Sequence, residues 1–325
     1  MTETNKRLLE LVLQEKTLNE ISNEMKLSQK QIYSRLVSLR RSGYNFKRNF
    51  YYDGEQSFKL IKGIVNNDDN NETTILTTKE DNHFKALLIS DLHFGSVLEK
   101  VDALNKIYDY CIKEGINIIL NAGDFIDGTF GGIKKTYDIE LQIKEALKNH
   151  PYDKNILNFI CLGNHDVSSK IDYGIDFSDV LSNKRHDLIP IGYGNGIINV
   201  KNDQIILKHQ VGYGVQDIIT KNKLVLRGHS HETRISENGS NINVYLPSLS
   251  GVVMKEDLIY PCAFKMELAF NHGCFSYGIF NQLLVDSKVF ILNELKYELS
   301  RGKSIMLNEP ILNEVDTSKR KVLSK

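Results

Sequence analysis

The strongest constraint on this chain is a series of short apolar runs that each break off at Asp, Asn or His. "FKALLIS", "INIILNAGD" and "NILNFICLGNHD" are near-continuous apolar segments between residues 84 and 166. "LEKVDALNKIYDYCIKEG" and "YDIELQIKEALKNH" lie between them, with apolar residues at helical spacing. Strands that are apolar on both faces need cover on both, and alternation with helices makes them parallel. After about residue 187 the pattern turns β-rich. "GIINVKNDQIILKHQ" carries an Asn202-Asp203 turn, and "KLVLRGHSHETRISENGSNINVYLPSLSG" carries Asn238-Gly239. "AFKMELAFNHGCFSYGIFNQLLV" and "SKVFILNELKYEL" add further strands. The expected fold class is α/β, with a second sheet packed on the first in a four-layer helix–sheet–sheet–helix sandwich over 84–300. A polar tail is expected at 301–325.

The strand ends carry the chemistry. They deliver Asp91-x-His93, Gly123-Asp124, Gly163-Asn164-His165-Asp166, His209 and His229-x-His231 in order. Ligand sites in open α/β sheets lie beyond the carboxyl ends of strands. Singly, each has an ordinary explanation. Asp91 and His93 fit a solvated loop, Gly123-Asp124 a turn, Asn164 a helix cap, His209 a hydrogen-bonded core histidine, and His229 and His231 a polar turn. Five such explanations would have to coincide, whereas one metal site accounts for all of them. Oxygen and imidazole donors without thiolate suit Mn²⁺, Fe or Zn²⁺. His229 and His231, two apart in an extended segment, can face one site.

The motifs "DLH", "GDFID", "GNHD", the histidine of "LKHQ" and "GHSH" resemble those of the calcineurin-like metallophosphoesterase superfamily, over about residues 84–297. The resemblance implies two divalent metal ions, Mn²⁺ first, with Fe, Zn²⁺ or Mg²⁺ as alternatives. Asp91, His93 and His231 would hold one, and Asn164, His209 and His229 the other, with Asp124 as the bridge. Such a pair activates a shared water and neutralises phosphoryl charge. The resemblance makes His165 a catalytic group that protonates the leaving oxygen or stabilises the phosphoryl charge. A histidine acid needs an orienting partner. Asp127 is expected to supply its carboxylate, in preference to the adjacent Asp166.

Residues 1–63 form a separate unit. Leu8, Leu9, Leu11, Val12 and Leu13 suggest a first helix. Thr17 and Glu20 make a capping box for a second, and Ser28 caps a third with Ile32, Leu36 and Leu39 at helical spacing. "FKRNFYYDGEQSFKLI" reads as a hairpin turning at Asp53-Gly54. Three helices and a hairpin outline a winged helix-turn-helix. The chain has 41 basic and 41 acidic residues, so attraction to a polyanion must come from a local patch. Lys26, Lys30, Arg35, Arg40, Arg41, Lys47 and Arg48 provide one, with no carboxylate between residues 26 and 48. These residues are the expected nucleic-acid contacts. The alternatives are a helical packing module with a solvated basic face and a helix-turn-helix unit used for protein contacts. The Asn-, Asp- and Thr-rich stretch 64–83 reads as a linker.

The expected function is a metal-dependent phosphodiesterase, foremost a nuclease guided by the N-terminal unit. Serine/threonine protein phosphatases of the superfamily carry Arg after the second Asp of "GDxxD", and here that position is Gly128. "DLHFG" is similar to the DNA-repair nucleases, whose resemblance also allows a homodimer. "TFGGIKK" either offers Lys134 and Lys135 to phosphate or is an ordinary surface loop. The alternatives are a phosphatase or phosphodiesterase on nucleotides or other small esters, and a DNA-binding regulator with a metal-sensing core. No run is long enough to span a membrane, and "MTETNKRLLE" lacks a signal peptide's apolar stretch, so a cytoplasmic location is expected. Cys111, Cys161, Cys262 and Cys274 lack paired spacing and are expected to be reduced.

Overall fold

The computed structural model describes residues 2–61, 72–78, 81–130, 132–210, 224–238, 241–254, 257–300 and 303–306. The chain starts with three helices, α1 (Glu3–Leu13), α2 (Leu18–Met25) and α3 (Gln29–Arg41). Thr17 and Ser28 cap the second and third through reciprocal bonds with Glu20 and Gln31. Leu8, Leu11, Leu18, Ile21, Ile32 and Leu36 close a small apolar core with Phe46 and Phe58 of a hairpin, β1 (Asn45–Tyr51) and β2 (Gln56–Ile61).

The linker expected at 64–83 contains a strand, β3 (Glu72–Leu76), which pairs in parallel with β1. The α/β core then follows as β4 (His83–Ile89), α4 (Val101–Glu114), β5 (Ile118–Asn121), α5 (Ile139–Asn149) and β6 (Leu157–Leu162). Next come α6 (Asn164–Tyr173), α7 (Phe177–Lys184), β7 (Leu188–Tyr193), β8 (Asn195–Val200) and β9 (Asp203–Lys208). Then come β10 (Leu224–Arg227), β11 (Arg234–Asn238) and β12 (Asn241–Tyr245), and a small ribbon of β13 (Val252–Met254) and β14 (Asp257–Ile259). The chain continues through β15 (Cys262–Asn271), β16 (Cys274–Val285) and β17 (Val289–Ser300). The expected tail begins with β18 (Lys303–Met306), paired with β17; the rest of it, 307–325, lies outside the described residues.

Two eight-stranded sheets result. One runs β18-β17-β16-β15-β4-β5-β6-β7, with β4 to β7 parallel as the apolar runs predict. The other runs β11-β12-β10-β9-β8-β3-β1-β2. Their facing sides bury Phe84, Phe159, Phe264, Phe275 and Phe280 in one core. Each such side chain contributes about 1.5–3 kcal/mol relative to exposure. Helices α4, α5 and α7 cover the outer face of the first sheet. Among the described residues no apolar core lies on the outer face of the second, so three of the four expected layers are present. Strand β8 alternates half-buried and buried residues, the pattern of a sheet with one open face.

Strand β1 joins the N-terminal unit to the sandwich. Phe46 and Phe50 lie on one face, but Phe46 enters the three-helix core and Phe50 enters the inter-sheet core against Phe159. The helices therefore sit on the inner side of the second sheet, beside the lower end of the first. The hairpin tip is not free. Gly54, at φ +83°, presses on the backbone of Asn155, where an added Cβ would fall 1.9 Å from the carbonyl oxygen. Gly54→Ala is expected to destabilise the protein by roughly 2–4 kcal/mol through strain and overpacking. A lowered denaturant midpoint checks it, and an unchanged midpoint would mean the tip is not docked.

Cys111, Cys161, Cys262 and Cys274 are free thiols, as expected. No described helix is long and apolar enough to cross a membrane.

Candidate metal centre

The parallel strands stop at a common level, and the loops beyond them are stitched together. Asp91 N–H donates to the Gly123 carbonyl (2.8 Å) and His93 N–H to the Asp124 carbonyl (3.0 Å). Ser248 Oγ donates to the Asp91 carbonyl at 2.9 Å. Within these loops Asp91, His93, Asp124, His229 and His231 all adopt positive φ. Left-handed backbone costs non-glycine residues on the order of 1–3 kcal/mol each and collects at functional sites. Here it turns five ligand-type side chains inward.

All seven expected ligands converge. His231 Nε2 lies 3.1 Å from Asp91 Oδ1 and 3.4 Å from His93 Nε2. On the other side His209 Nε2 lies 2.9 Å from Asp124 Oδ2, and His229 Nδ1 lies 3.1 Å from Asn164 Oδ1. Asp124 stands between the groups. Its Oδ2 is also 4.0 Å from His93 Nε2, and its Oδ1 accepts the His165 backbone N–H at 3.0 Å. Asp91 spends Oδ2 on the His229 backbone N–H at 3.2 Å, leaving Oδ1 toward the imidazoles.

These residues fit divalent cations. Donors about 2.1 Å from one cation lie roughly 3–3.5 Å from each other, the spacing seen here. His209 donates Nδ1–H to the Ala122 carbonyl at 2.5 Å, so in the neutral ring Nε2 carries a lone pair. That lone pair would face a carboxylate oxygen at 2.9 Å, an acceptor against an acceptor. A divalent cation between them resolves the conflict, and in its place a proton on Nε2 does the same, which is why Asp124 raises the His209 pKa. A Cβ on Gly163 would fall 2.2 Å from Asp124 Oδ1 and 2.7 Å from His209 Nε2, so glycine there lets the chain pass close to both groups.

The electrostatics follow from buried carboxylates facing imidazoles. Burial alone would raise Asp124 and Asp91, but facing histidines outweigh it and hold both below the usual carboxylate range. Burial alone would lower His209, but Asp124 and Asp91 outweigh it and raise it to about 9. Asp166 is pushed up to about 7 by burial and by Asp124, against three backbone N–H donors. Those donors, on Gly163, Phe125 and Ile126, give Asp166 its role: it clamps the loop after Asp124 to the start of α6.

His165 and Asp127 do meet, through a different atom than expected. His165 Nδ1 lies 2.6 Å from the Asp127 backbone carbonyl, and the carboxylate Oδ1 is 4.0 Å away. That Oδ1 lies closer to His93 Nδ1, at 3.3 Å. Burial pushes the His165 imidazole below its ordinary range, partly offset by Asp124. Lys134, expected to meet phosphate, is instead buried, with its ammonium on the Asp127 carboxylate and the Phe130 carbonyl. Lys135 pairs with Glu99 at 2.7 Å. The sequence reading also missed Gln142, which bonds both backbone polar groups of Gly128 from α5. Its signal was a polar residue on the apolar stripe of Ile139, Ile143 and Ala146.

The expected nucleic-acid residues divide. Lys26, Lys30, Arg40, Arg41 and Lys47 are exposed, and Arg35 is half-buried with Nη1 3.3 Å from Asn5 Oδ1. Arg48 turns inward. It stacks over Tyr33 and Phe50 and donates to Gln56 and the His186 carbonyl, because it sits on the β1 face between Phe46 and Phe50.

Fold and site together define a metal-dependent phosphoester hydrolase. Residues 84–233 match the family model described as calcineurin-like phosphoesterase, and this segment is a domain of that family. No curated protein matches the chain. Among solved structures it is similar to a predicted phosphoesterase of Streptococcus pneumoniae, at 13% identity and TM-score 0.37, covering 69% of this chain and 98% of that one. It is similar to the E. coli phosphoesterase Yfce, at 16% identity and TM-score 0.38, covering 62% and 100%. It is also similar to Pseudomonas putida nuclease MPE, at 15% identity and TM-score 0.29, covering 68% and 87%. At such TM-scores these likenesses bear on neither substrate nor mechanism.

Proposed function

We propose that this chain hydrolyses phosphodiester bonds in nucleic acid, and that its N-terminal helices and hairpin are a winged helix-turn-helix that binds the substrate. The observation that carries the reading is the carboxylate-free basic run from Lys26 to Arg48 in a chain of zero net charge. It supports a polyanionic ligand because five of its cations stand exposed.

Asp91, His93 and His231 would hold one divalent ion and Asn164, His209 and His229 the other, with Asp124 shared; Mn²⁺ is the ion we expect. Bound there, the pair supplies an activated water and charge for the phosphoryl oxygens. The chain's own groups do the rest. The Ala122 carbonyl holds His209 in the tautomer that presents Nε2. The Asp127 carbonyl fixes His165 Nδ1–H, so Nε2 faces the site; with a second proton there, as imidazolium, the ring would give that proton to the leaving oxygen and return to the neutral Nδ1–H form. Asp127's carboxylate, held by Lys134, steadies His93. Phe130 lies edge-to-face on His165 at 5.7 Å and limits its motion.

Gly128 argues against a protein phosphatase. At φ +60°, an added Cβ would fall 2.3 Å from both the His165 carbonyl and Ser168 Oγ, so an arginine there requires a different start to α6. A second reading is a phosphatase or phosphodiesterase on nucleotides or other small esters, with a regulatory N-terminal unit. It is favoured by inward Arg48, which takes one expected contact away from a ligand, and by the hairpin tip, which is docked on Asn155.

Labelled single- and double-stranded DNA and RNA, incubated with Mn²⁺ beside p-nitrophenyl phosphate and its bis ester, decide between them. Metal-dependent cleavage of nucleic acid and preference for the bis ester are expected. Good ester turnover with no nucleic acid cut overturns the proposal in favour of the second reading.

A further inference from the structure

The N-terminal unit and the phosphoesterase domain enclose a cleft of about 1510 Å³ far from the metal centre. One wall is the outer face of α3, with Gln29, Lys30, Ser34 and Arg41. The other is built from the ends of α5 and α7 and the loops into β6 and β7, with Lys148, Tyr152, Lys154 and Lys184. These loops enter the strands at their amino ends, whereas the metal ligands follow the carboxyl ends. The strands between are six residues long, so the cleft and the metals are roughly 20 Å apart.

The charge of this cleft is one-sided. Lys30, Arg41, Lys148, Lys154 and Lys184 are exposed, and none has an ion-pair partner among the described residues. The single carboxylate in the lining, Asp187, is occupied by Arg185 through contacts of 2.8 and 2.6 Å. Lys148, Lys184 and Arg41 sit in the last turns of their helices, where a cation is favoured without any ligand. That accounts for three of the five. It does not account for Lys154, in a loop, or for Lys30, in the first turn of α3 across the gap.

We infer that this cleft is a composite binding site for single-stranded nucleic acid, which holds the backbone between α3 and the phosphoesterase domain while the metals act on a distant segment. The inference rests on the nucleic-acid reading above and extends it to residues of the core. A single strand is favoured over a duplex for two reasons. Tyr152 Oη donates across the gap to Gln29 Oε1 at 3.3 Å, so the core stands against α3 and keeps the helix from entering a major groove. Tyr152 is also 58% exposed, a ring on which an unpaired base can stack. With the metals roughly 20 Å away, about six nucleotide rises are needed before one strand engages both places.

Full-length protein in EDTA, titrated against a labelled oligothymidylate of about 20 nucleotides, tests this, because binding is read without cleavage and the strand exceeds the six-rise span. Replacing Lys148→Gln, Lys154→Gln and Lys184→Gln together is expected to weaken binding at least about tenfold and to flatten the salt slope from about −3.5 to about −1.4. Tyr152→Leu should weaken it about fivefold or more. Turnover of bis-p-nitrophenyl phosphate with Mn²⁺ should be unchanged in both variants, which also shows that they fold. Unchanged affinity and slope in the triple variant overturn the inference, as does tighter binding of a duplex of equal length. If the wild type binds through these lysines but cuts no nucleic acid, the inference stands and the nuclease reading falls. If it cuts nucleic acid and the triple variant binds normally, the reverse holds.

Discussion

Asp124→Asn should lower hydrolysis of bis-p-nitrophenyl phosphate by roughly three orders of magnitude or more, since a divalent ion supplies several kcal/mol of transition-state stabilisation. The substitution keeps the shape and removes the charge. Asp124 is 1% exposed and is the carboxylate that both ligand groups approach, with His209 at 2.9 Å and His93 and His165 at 4.0 Å. An amide would also leave His209 facing a neutral oxygen or an N–H. The loss should therefore show in metal content as well as rate. Wild-type protein should gain thermal stability with added Mn²⁺ by mass action, and the variant should gain much less. A variant that keeps both metals and more than about a tenth of the rate would show that Asp124 is not shared between them.

His165→Ala should lower turnover by roughly 10²–10⁴-fold while leaving metal content intact. His165 hydrogen-bonds Asp124 through its backbone N–H, with its ring Nε2 4.0 Å from the carboxylate, and α6 begins at Asn164, so truncating the ring leaves that hydrogen bond and the ligands in place. The size of the effect should depend on the leaving group. Nitrophenolate departs without a proton, whereas phenolate and a sugar alkoxide need one. A larger loss for a phenyl than for a p-nitrophenyl phosphodiester is the expected signature of proton donation. Equal losses for both would assign His165 to phosphoryl charge instead.

The convergence of the candidate ligands was legible because each of these residues ends or follows an apolar strand, and strand ends are easy to locate by hydrophobicity. The three N-terminal helices were legible through Thr17, Glu20 and Ser28, whose capping roles the structure reproduces. Other features had no local signature. Strand β3 is only five residues long and sits between polar stretches, so its pairing with β1 and β8 is a tertiary fact. The outer face of the second sheet, without an apolar core among the described residues, did leave a trace. "NGIINV" alternates, and alternation marks a sheet with an open face, but the neighbouring apolar runs masked it. Asp127 was found as a residue and missed as an atom. Sequence spacing locates a side chain near His165, but only the backbone path decides that its carbonyl meets the ring while Lys134 draws the carboxylate away.

Strand β3 sets how the molecule can be divided. It continues one hydrogen-bonded ladder from β8 into β1 and β2, so the N-terminal helices are mounted on the same sheet that delivers His209 and His229. Removing the first 77 residues would strip β8 of its neighbour and leave a bare row of amides and carbonyls along one side of the sandwich, a template for self-association. The basic helices are thus also the end-cover of the enzyme's second sheet. In such an architecture, loss of the N-terminal unit and loss of solubility arrive together.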